Sequence, residues 1–167
     1  MNMKRALEVV NSLEKEGVIG RYAIGGAMAA VFFAEPVSTF DVDIFINFVR
    51  TSSGLISLSS LYKALERQGY RESGEYVEIE GIPVQFLPAY NTLVEEALEK
   101  AIDVMYDSIP TRVIRAEYLI AIALQTGRPK DRGRVEMLRT QAPLDTVMLS
   151  GILQRYDLKR VWETWTR

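Results

Sequence analysis

The sequence contains neither cysteine nor histidine among its 167 residues. The absence of cysteine excludes a disulfide framework, a thiolate nucleophile and a zinc–thiolate site. The absence of histidine excludes histidine-based catalytic triads, histidine metal sites and the usual general base near neutral pH. Any catalysis must therefore use carboxylates, lysine, tyrosine, hydroxyl groups or a metal ion.

Strong charge and long hydrophobic runs are also missing. The formal net charge is −2, so no global field attracts the chain to nucleic acid. The apolar stretch 23–34 has 12 residues, too few to span a bilayer, and Asn11 and Glu14 interrupt the N-terminus before a signal-peptide core forms. We therefore expect a cytoplasmic protein without a membrane partner.

A hydrophobic content of 48% and a charged content of 25% are typical of a globular domain with a core. Periodicity and turn residues predict an α/β (α+β) fold, in which a small mixed sheet is flanked by helices. We expect a first domain over residues 1–114 and a C-terminal helical segment over 115–167 packed on it. The predicted strands are 22–24, 40–46, 76–80, 82–87, 101–106 and 111–114, and the predicted helices are 3–16, 27–33, 58–68, 91–100, 117–126, 129–140, 144–155 and 158–166.

The strand around residue 43 alternates apolar residues with Asp41 and Asp43. Because successive strand side chains point to opposite faces, the two aspartates share one face, about 6.5–7 Å apart. Neighbouring carboxylates repel each other unless a cation or a shared proton compensates, and hard cations such as Mg²⁺ bind carboxylate oxygens. On the opposite face we expect buried apolar side chains: Phe40, Val42, Ile44 and Ile46.

A Gly-Gly pair, Gly25 and Gly26, lies between the first predicted strand and the helix that follows it. Glycine permits positive φ and close approach to the backbone, and the free N–H groups of a helix N-terminus bind anions. Together with the aspartates, this arrangement is suited to a metal–triphosphate. The alternative is a tight turn beside polar residues at a sheet edge.

The order strand, Gly-Gly, helix, Ser/Thr-x-Asp-x-Asp, strand resembles the nucleotidyltransferase superfold related to DNA polymerase β. The resemblance implies that Asp41 and Asp43 are catalytic ligands of Mg²⁺ or Mn²⁺ and that Gly25 and Gly26 face the nucleotide phosphates. Ser38 or Thr39 would hydrogen-bond a phosphate oxygen. Over residues 21–138 the chain is similar to minimal nucleotidyltransferases of the AbiEii/AbiGii toxin group, whose Gly-Arg-x-Lys-Asp element is matched by Gly127, Arg128, Lys130 and Asp131.

The segment 128–134, RPKDRGR, places several cations at a predicted helix start. The helix dipole disfavours cations there, so a phosphate partner would explain them. By resemblance, Lys130 faces the nucleotide phosphates, while Asp131 holds Lys130 or a neighbouring arginine such as Arg128. The alternative is a solvated basic helix start.

Two positions depart from the family pattern. Gln85 stands where the resemblance places a third metal-binding carboxylate, and Ala123 stands where related chains carry lysine. Glutamine can ligate a cation through its carbonyl oxygen, but it brings no charge and cannot act as a base. Glu78 and Glu80 could substitute only if the fold places them on the face of the aspartates.

The leading hypothesis is a Mg²⁺-dependent transfer of a nucleoside monophosphate from an NTP to a hydroxyl acceptor, which is RNA, a protein or a small molecule, in a toxin-type role. The alternative is a catalytically degraded nucleotide- or partner-binding module on the same fold. A third interpretation, an antitoxin-like or homo-oligomeric scaffold, rests on the apolar C-terminal helical tail and its two tryptophans, Trp162 and Trp165.

Overall fold

A computed structural model describes residues 2–35, 38–48 and 58–167. Its strands are β1 Tyr22–Ile24, β2 Val42–Ile46, β3 Glu72–Ser73, β4 Tyr76–Ile79, β5 Ile82–Pro88, β6 Ile102–Tyr106 and β7 Ile109–Val113. Its helices are α1 Met3–Lys15, α2 Gly26–Ala30, α3 Ser59–Arg67, α4 Thr92–Glu99, α5 Ala116–Thr126, α6 Pro129–Gln141, α7 Thr146–Arg155 and α8 Lys159–Trp165.

The strands form one mixed sheet in the order β3-β4-β5-β2-β1-β7-β6. The central strand β2 pairs antiparallel with β1 and parallel with β5, and β1 pairs parallel with β7. The outer pairs β3–β4, β4–β5 and β6–β7 are antiparallel. This architecture confirms the predicted fold class, a mixed sheet flanked by helices. Strand β3 was not predicted, because two residues carry no readable alternation.

The predicted faces of α1 and β2 are mostly buried. Ala6, Leu7, Val10 and Leu13 form the buried side of α1, as expected from their helical spacing. On β2, Val42, Ile44 and Ile46 are also buried, but the expectation for Phe40 was wrong, because its side chain is 71% exposed. The strand begins at Val42, so the alternation does not extend back to Phe40.

Two tight turns close the hairpins beside this core. Glu80 and Gly81 both have positive φ and connect β4 to β5, as predicted from Gly81. Asp107 and Ser108 likewise have positive φ and connect β6 to β7. Strand β7 therefore begins at Ile109, two residues before the predicted start at Thr111.

Local signals define the C-terminal helices. Gly127 ends α5 in the left-handed conformation, with φ 69°, and Pro129 is the first residue of α6. Helix α7 begins at Thr146 rather than at the predicted Leu144, because the side chain of Asp145 caps it by accepting a hydrogen bond from the backbone N–H of Met148. Helix α5 contacts α2, α4, α6 and α7, so its broad apolar surface lies at the centre of the helical layer.

Helix α3 falls within the predicted helix 58–68, and it buries Leu61 and Leu65, which lie four residues apart on one face. The segment 50–60 before it is rich in serine and threonine, which predicts a loop, and most of this segment lies outside the described residues. Among the helices that the structure describes, none combines the length and apolar character needed to cross a bilayer.

Candidate active site

A cavity of about 350 Å³ lies between the sheet and helices α5 and α6. One wall comes from β2, β5 and the turn between β3 and β4, and it carries the acids Asp41, Asp43 and Glu75. The facing wall carries the cations Arg128, Lys130 and Arg134. The cavity is also lined by apolar side chains: Ala27, Phe45, Leu87, Leu119, Ile122 and Ala123.

Asp41 and Asp43 both face the cavity, as the period of a strand requires. Asp41 is held from two sides: its Oδ2 accepts a hydrogen bond from the Tyr76 hydroxyl at 3.3 Å, and its Oδ1 accepts one from Thr39 Oγ1 at 3.1 Å. Within the described residues neither aspartate takes part in a salt bridge. No direct ion pair from the described part of the chain therefore neutralises these two carboxylates.

The environment of Asp43 disfavours its charged form. Burial raises the pKa of the Asp43 carboxyl, and the nearby charge of Asp41 raises it further. The cations of the facing wall act in the opposite direction but do not cancel this effect. A cation bound directly to the carboxylates would relieve the repulsion that remains.

Gly25 and Gly26 allow β2 to approach the start of α2 closely. A Cβ on Gly26, where φ is +58°, would lie 2.0 Å from Asp43 Oδ2, and a Cβ on Gly25 would lie 2.2 Å from Phe45 Cε2. The Gly25 N–H also donates to the Asp43 carbonyl at 2.8 Å. The close packing of β2, the strand that carries Asp43 and Phe45, therefore requires glycine at both positions.

Gln85 lies beside Asp43, because β2 and β5 pair in parallel with these two residues in register. Its Nε2 donates to Glu75 Oε2 at 3.5 Å, a weak hydrogen bond that is longer than the usual limit of about 3.2 Å. Of the acids expected as substitutes, Glu80 instead accepts a hydrogen bond from Tyr70 at 2.7 Å. Glu78 is exposed opposite Pro83 and is not part of the cavity lining.

The basic wall is organised by Asp131, whose side chain is fully buried. Its carboxylate accepts hydrogen bonds from Arg128 Nε at 2.7 Å and from Arg134 Nη1 at 3.2 Å. Lys130 lines the cavity, and among the described residues it forms no salt bridge with Asp131. The Arg132 guanidinium lies 5.4 Å from the centre of the Trp165 ring. Asp131 therefore holds two arginines at the cavity.

Comparison with solved structures agrees with the mixed sheet and flanking helices described above. No protein-family model matches the sequence, and no curated protein matches it. Among solved structures, ANT(2'')-Ia in complex with adenylyl-2''-tobramycin aligns with 90% of this chain and 96% of its own, with a TM-score of 0.54 and 15% identity. The solution structure of the antibiotic-resistance factor ANT(2'')-Ia gives a TM-score of 0.56 at 16% identity, over 91% of this chain and 89% of its own.

A third solved structure is an antigenic nucleotidyltransferase-like protein from Paracoccidioides brasiliensis. It aligns with 95% of this chain and 92% of its own, with a TM-score of 0.55 and 14% identity. The chain has the nucleotidyltransferase fold. At such low identity the likeness establishes the fold alone, so the chemistry must be argued from this chain's own side chains.

The nucleotidyltransferase fold brings most of the sequence-predicted residues to one cavity: Gly26, Asp41, Asp43, Gln85, Arg128 and Lys130. Ala123, the second departure, also lines it. Gly25 is buried against Phe45, and Asp131 lies behind the two arginines. Ser38 is exposed and Thr39 bonds Asp41, and neither is among the lining residues.

Sequence reasoning missed Glu75, Tyr76 and Tyr90 as cavity residues, and it included Arg134 only as one of the cations of the segment 128–134. For Arg134 a signal existed, since it lies four residues after Lys130 on one helix and so shares its face. Glu75 and Tyr76 reach the site through pairing of β4 with β5. The sequence carries no local sign of that long-range approach.

The side chains on the acidic wall suit a hard divalent cation, because they offer carboxylate and amide oxygens. No group of three or more acidic residues in the described part of the chain is arranged to hold a metal ion. A cation in this nucleotidyltransferase fold would therefore be held by Asp41, Asp43 and the carbonyl oxygen of Gln85, with oxygens from water or substrate as its other ligands.

Proposed function

We propose that this protein transfers a nucleoside monophosphate from an NTP to a hydroxyl acceptor with the help of Mg²⁺ or Mn²⁺. The observation that carries the proposal is the cavity of about 350 Å³, in which Asp41 and Asp43 face three cationic side chains. Carboxylates on one wall and phosphate-binding cations on the other are what a metal–triphosphate requires. The nucleotidyltransferase fold supports this interpretation.

In this proposal Asp41 and Asp43 hold the cation, and Gln85 contributes a neutral oxygen. When bound, the cation neutralises charge that develops on the transferring phosphate and orients the acceptor hydroxyl. Tyr76 and Thr39 hold Asp41 in place through their hydrogen bonds, so the carboxylate is oriented before substrate arrives. Gly26 leaves room for Asp43 beside the start of α2.

The triphosphate lies along the basic wall. Arg128 and Arg134 are fixed by the buried carboxylate of Asp131, so little side-chain entropy is lost when they bind phosphate oxygens. Lys130 supplies a further positive charge. The apolar residues Leu119 and Ile122 provide a surface for the nucleoside, and Tyr90 at the rim is exposed enough to stack on it.

The acceptor is the less defined half of the reaction. The complex of ANT(2'')-Ia contains an adenylylated small molecule, which is consistent with a hydroxyl on a small molecule as acceptor. The resemblance to the AbiEii/AbiGii group instead suggests a toxin-type role with RNA or a protein as acceptor, together with an antitoxin or a second copy of the chain as partner. Acceptor screening belongs after nucleotide binding has been measured.

The first test is calorimetric titration of each NTP into the protein, with Mg²⁺ and again with EDTA. We expect magnesium-dependent binding that disappears in the Asp41→Asn/Asp43→Asn variant while the circular dichroism spectrum stays unchanged. Incubation of the protein with α-labelled NTP and candidate acceptors then measures transfer directly. If no NTP binds in the presence of Mg²⁺, or if the double variant binds as well as the wild type, the proposal fails.

A second candidate function is a binding module that has lost turnover. The observation that favours it is Gln85, a neutral side chain in register with Asp43 where a third carboxylate would increase cation affinity. Replacement of Gln85 by aspartate discriminates the two functions. A large gain in transfer over the wild type would identify the natural chain as a slow or degraded enzyme, whereas robust transfer by the wild type would exclude the binding module.

A further inference from the structure

Gln85 lies between two acidic side chains, and this position restricts how its amide can be oriented. On β2, Asp43 is its neighbour in register, and on the β3–β4 turn Glu75 accepts its N–H at 3.5 Å. We propose that Glu75 is a positioning residue, which binds the amide nitrogen of Gln85 and so directs the amide carbonyl oxygen toward Asp43 and its cation. This inference rests on the proposed metal-dependent function.

The argument follows from the chemistry of the amide, which has a donor end and an acceptor end. A carboxylate offers only acceptor atoms at neutral pH, and the nitrogen and carbonyl oxygen of the planar Gln85 amide point to opposite sides. With the nitrogen on Glu75, the carbonyl oxygen is left for the side of Asp43. Two oxygens facing each other repel unless a cation lies between them, which is the position that the proposed function assigns to the metal.

The same geometry explains why the residue is glutamine. A glutamate at position 85 would face Asp43 on one side and Glu75 on the other without any hydrogen to donate, so it would add repulsion in both directions. Glutamine removes one of these conflicts by donating to Glu75. Position 85 on β5 thus carries no acid, and the acid beside it, Glu75, lies on the β3–β4 turn.

The position of Glu75 is set by the sheet. Val77 pairs with Val84, so the residues just before Val77 lie over Gln85 at the cavity. The hydroxyl of the adjacent Tyr76 bonds Asp41. Glu75 therefore lines the same cavity as Asp41 and Asp43.

The experiment measures binding of Mn²⁺ alone, by electron paramagnetic resonance of the free ion, to the wild type, Glu75→Gln and Glu78→Gln. Glu78 is the matched control, because it is an exposed glutamate on β4 that does not line the cavity. Loss of a residue that orients a metal ligand costs about 10–100-fold in metal affinity. We expect a loss in this range for Glu75→Gln and none for Glu78→Gln.

A swapped variant, Glu75→Gln/Gln85→Glu, tests the mechanism. Its glutamine can donate to the new carboxylate at position 85, so the pair is kept with donor and acceptor exchanged. We expect this double variant to bind Mn²⁺ at least as tightly as the wild type. The single variant Gln85→Glu separates this pairing from a charge effect, because it adds a carboxylate but leaves Glu75 without a donor. We expect it to bind Mn²⁺ less tightly than the swapped variant, whereas a charge effect alone predicts tighter binding.

Several outcomes would overturn the positioning role. These are unchanged Mn²⁺ binding in Glu75→Gln, an equal loss in Glu78→Gln, or failure of the swapped variant to recover. If the wild type binds Mn²⁺ and NTP but does not respond to these substitutions, only the role of Glu75 is lost. If the wild type binds neither, the proposed function fails with it.

Discussion

The carboxylate of Asp43 occupies the space that a side chain on Gly26 would need. A Cβ on Gly26 would lie 2.0 Å from Asp43 Oδ2, and the backbone there has φ +58°. We therefore expect Gly26→Ala to displace Asp43 and to abolish cation binding at the proposed site. Positive φ adds a cost of about 1–2 kcal/mol to the free energy of folding. Mn²⁺ binding and thermal denaturation measure the two effects.

Gly69→Ala is the control that separates the cost of positive φ from the displacement of Asp43. Gly69 also has positive φ, +90°, but a Cβ there meets nothing within 4 Å, and it is not among the cavity residues. This variant should lose a similar amount of stability and keep the wild-type affinity for Mn²⁺. Equal Mn²⁺ affinity in both variants would show that Gly26 is needed for backbone conformation only.

A second prediction concerns Asp131, the buried carboxylate behind the basic wall. Removal of one partner from a fully buried ion pair costs about 3–5 kcal/mol, but the side chains of Arg128 and Arg134 are 50% and 21% exposed, so the cost here should be about 1–3 kcal/mol. We expect Asp131→Ala to lose stability on this scale, measured by urea denaturation, and to weaken NTP binding because Arg128 and Arg134 lose their common anchor.

Glu136→Ala is the matched control for Asp131. Glu136 pairs with Arg139 on the same helix at the same spacing, but the pair lies on the surface, and exposed pairs contribute little. Its removal should change stability far less and leave NTP affinity unaltered. A comparable loss of affinity in both variants would contradict a specific role for the buried carboxylate.

A third prediction concerns the pH dependence of stability. Glu96 on α4 accepts hydrogen bonds from Tyr118 on α5 and from Tyr156 and Arg155 at the end of α7. Burial alone would raise the pKa of the Glu96 carboxyl, but the hydrogen bonds from Tyr156, Tyr118 and Arg155, with the charge of Arg155, lower it. The charged form therefore stabilises the folded state above the unfolded pKa, and this contribution is lost as pH falls through the folded pKa.

We accordingly expect Glu96→Gln to lower the melting temperature near neutral pH and the difference from wild type to shrink on acidification. Melting curves recorded from neutral to acidic pH would measure this convergence. Glu99→Gln removes an exposed charge from the same helix and should leave the curve parallel to that of the wild type. A difference that stays constant with pH would refute the role of the Glu96 charge.

The sequence predicted the elements that local chemistry determines. Gly127 ends α5 and Gly81 lies in the β4–β5 turn, and both were readable because few other residues adopt positive φ. The alternation that placed Asp41 and Asp43 on one face failed at Phe40, since periodicity does not tell where a strand begins.

The parts of the site that the sequence did not predict depend on pairing between distant segments. Glu75 becomes a neighbour of Gln85 only through the register of β4 and β5, and no local pattern encodes that register. Glu78 was considered in its place, because it stands on the predicted strand whereas Glu75 lies on the turn before it. A candidate ligand on a turn is found only once the strand order is known.

The last prediction distinguishes two cations of the segment RPKDRGR that the sequence alone cannot rank. Lys130 lines the cavity, whereas Arg132 packs over the ring of Trp165 on α8. A hydrogen bond to a charged group contributes about 1.5–3 kcal/mol, so we expect Lys130→Ala to weaken NTP binding roughly 10–100-fold with little change in melting temperature. Arg132→Ala should keep NTP affinity and lower the melting temperature, because it removes the contact with Trp165. Titration calorimetry and melting curves on both variants test this assignment. If Arg132→Ala loses NTP affinity as strongly as Lys130→Ala, the net charge of the segment attracts the phosphates. The position of Lys130 in the cavity then gives it no special role in NTP binding.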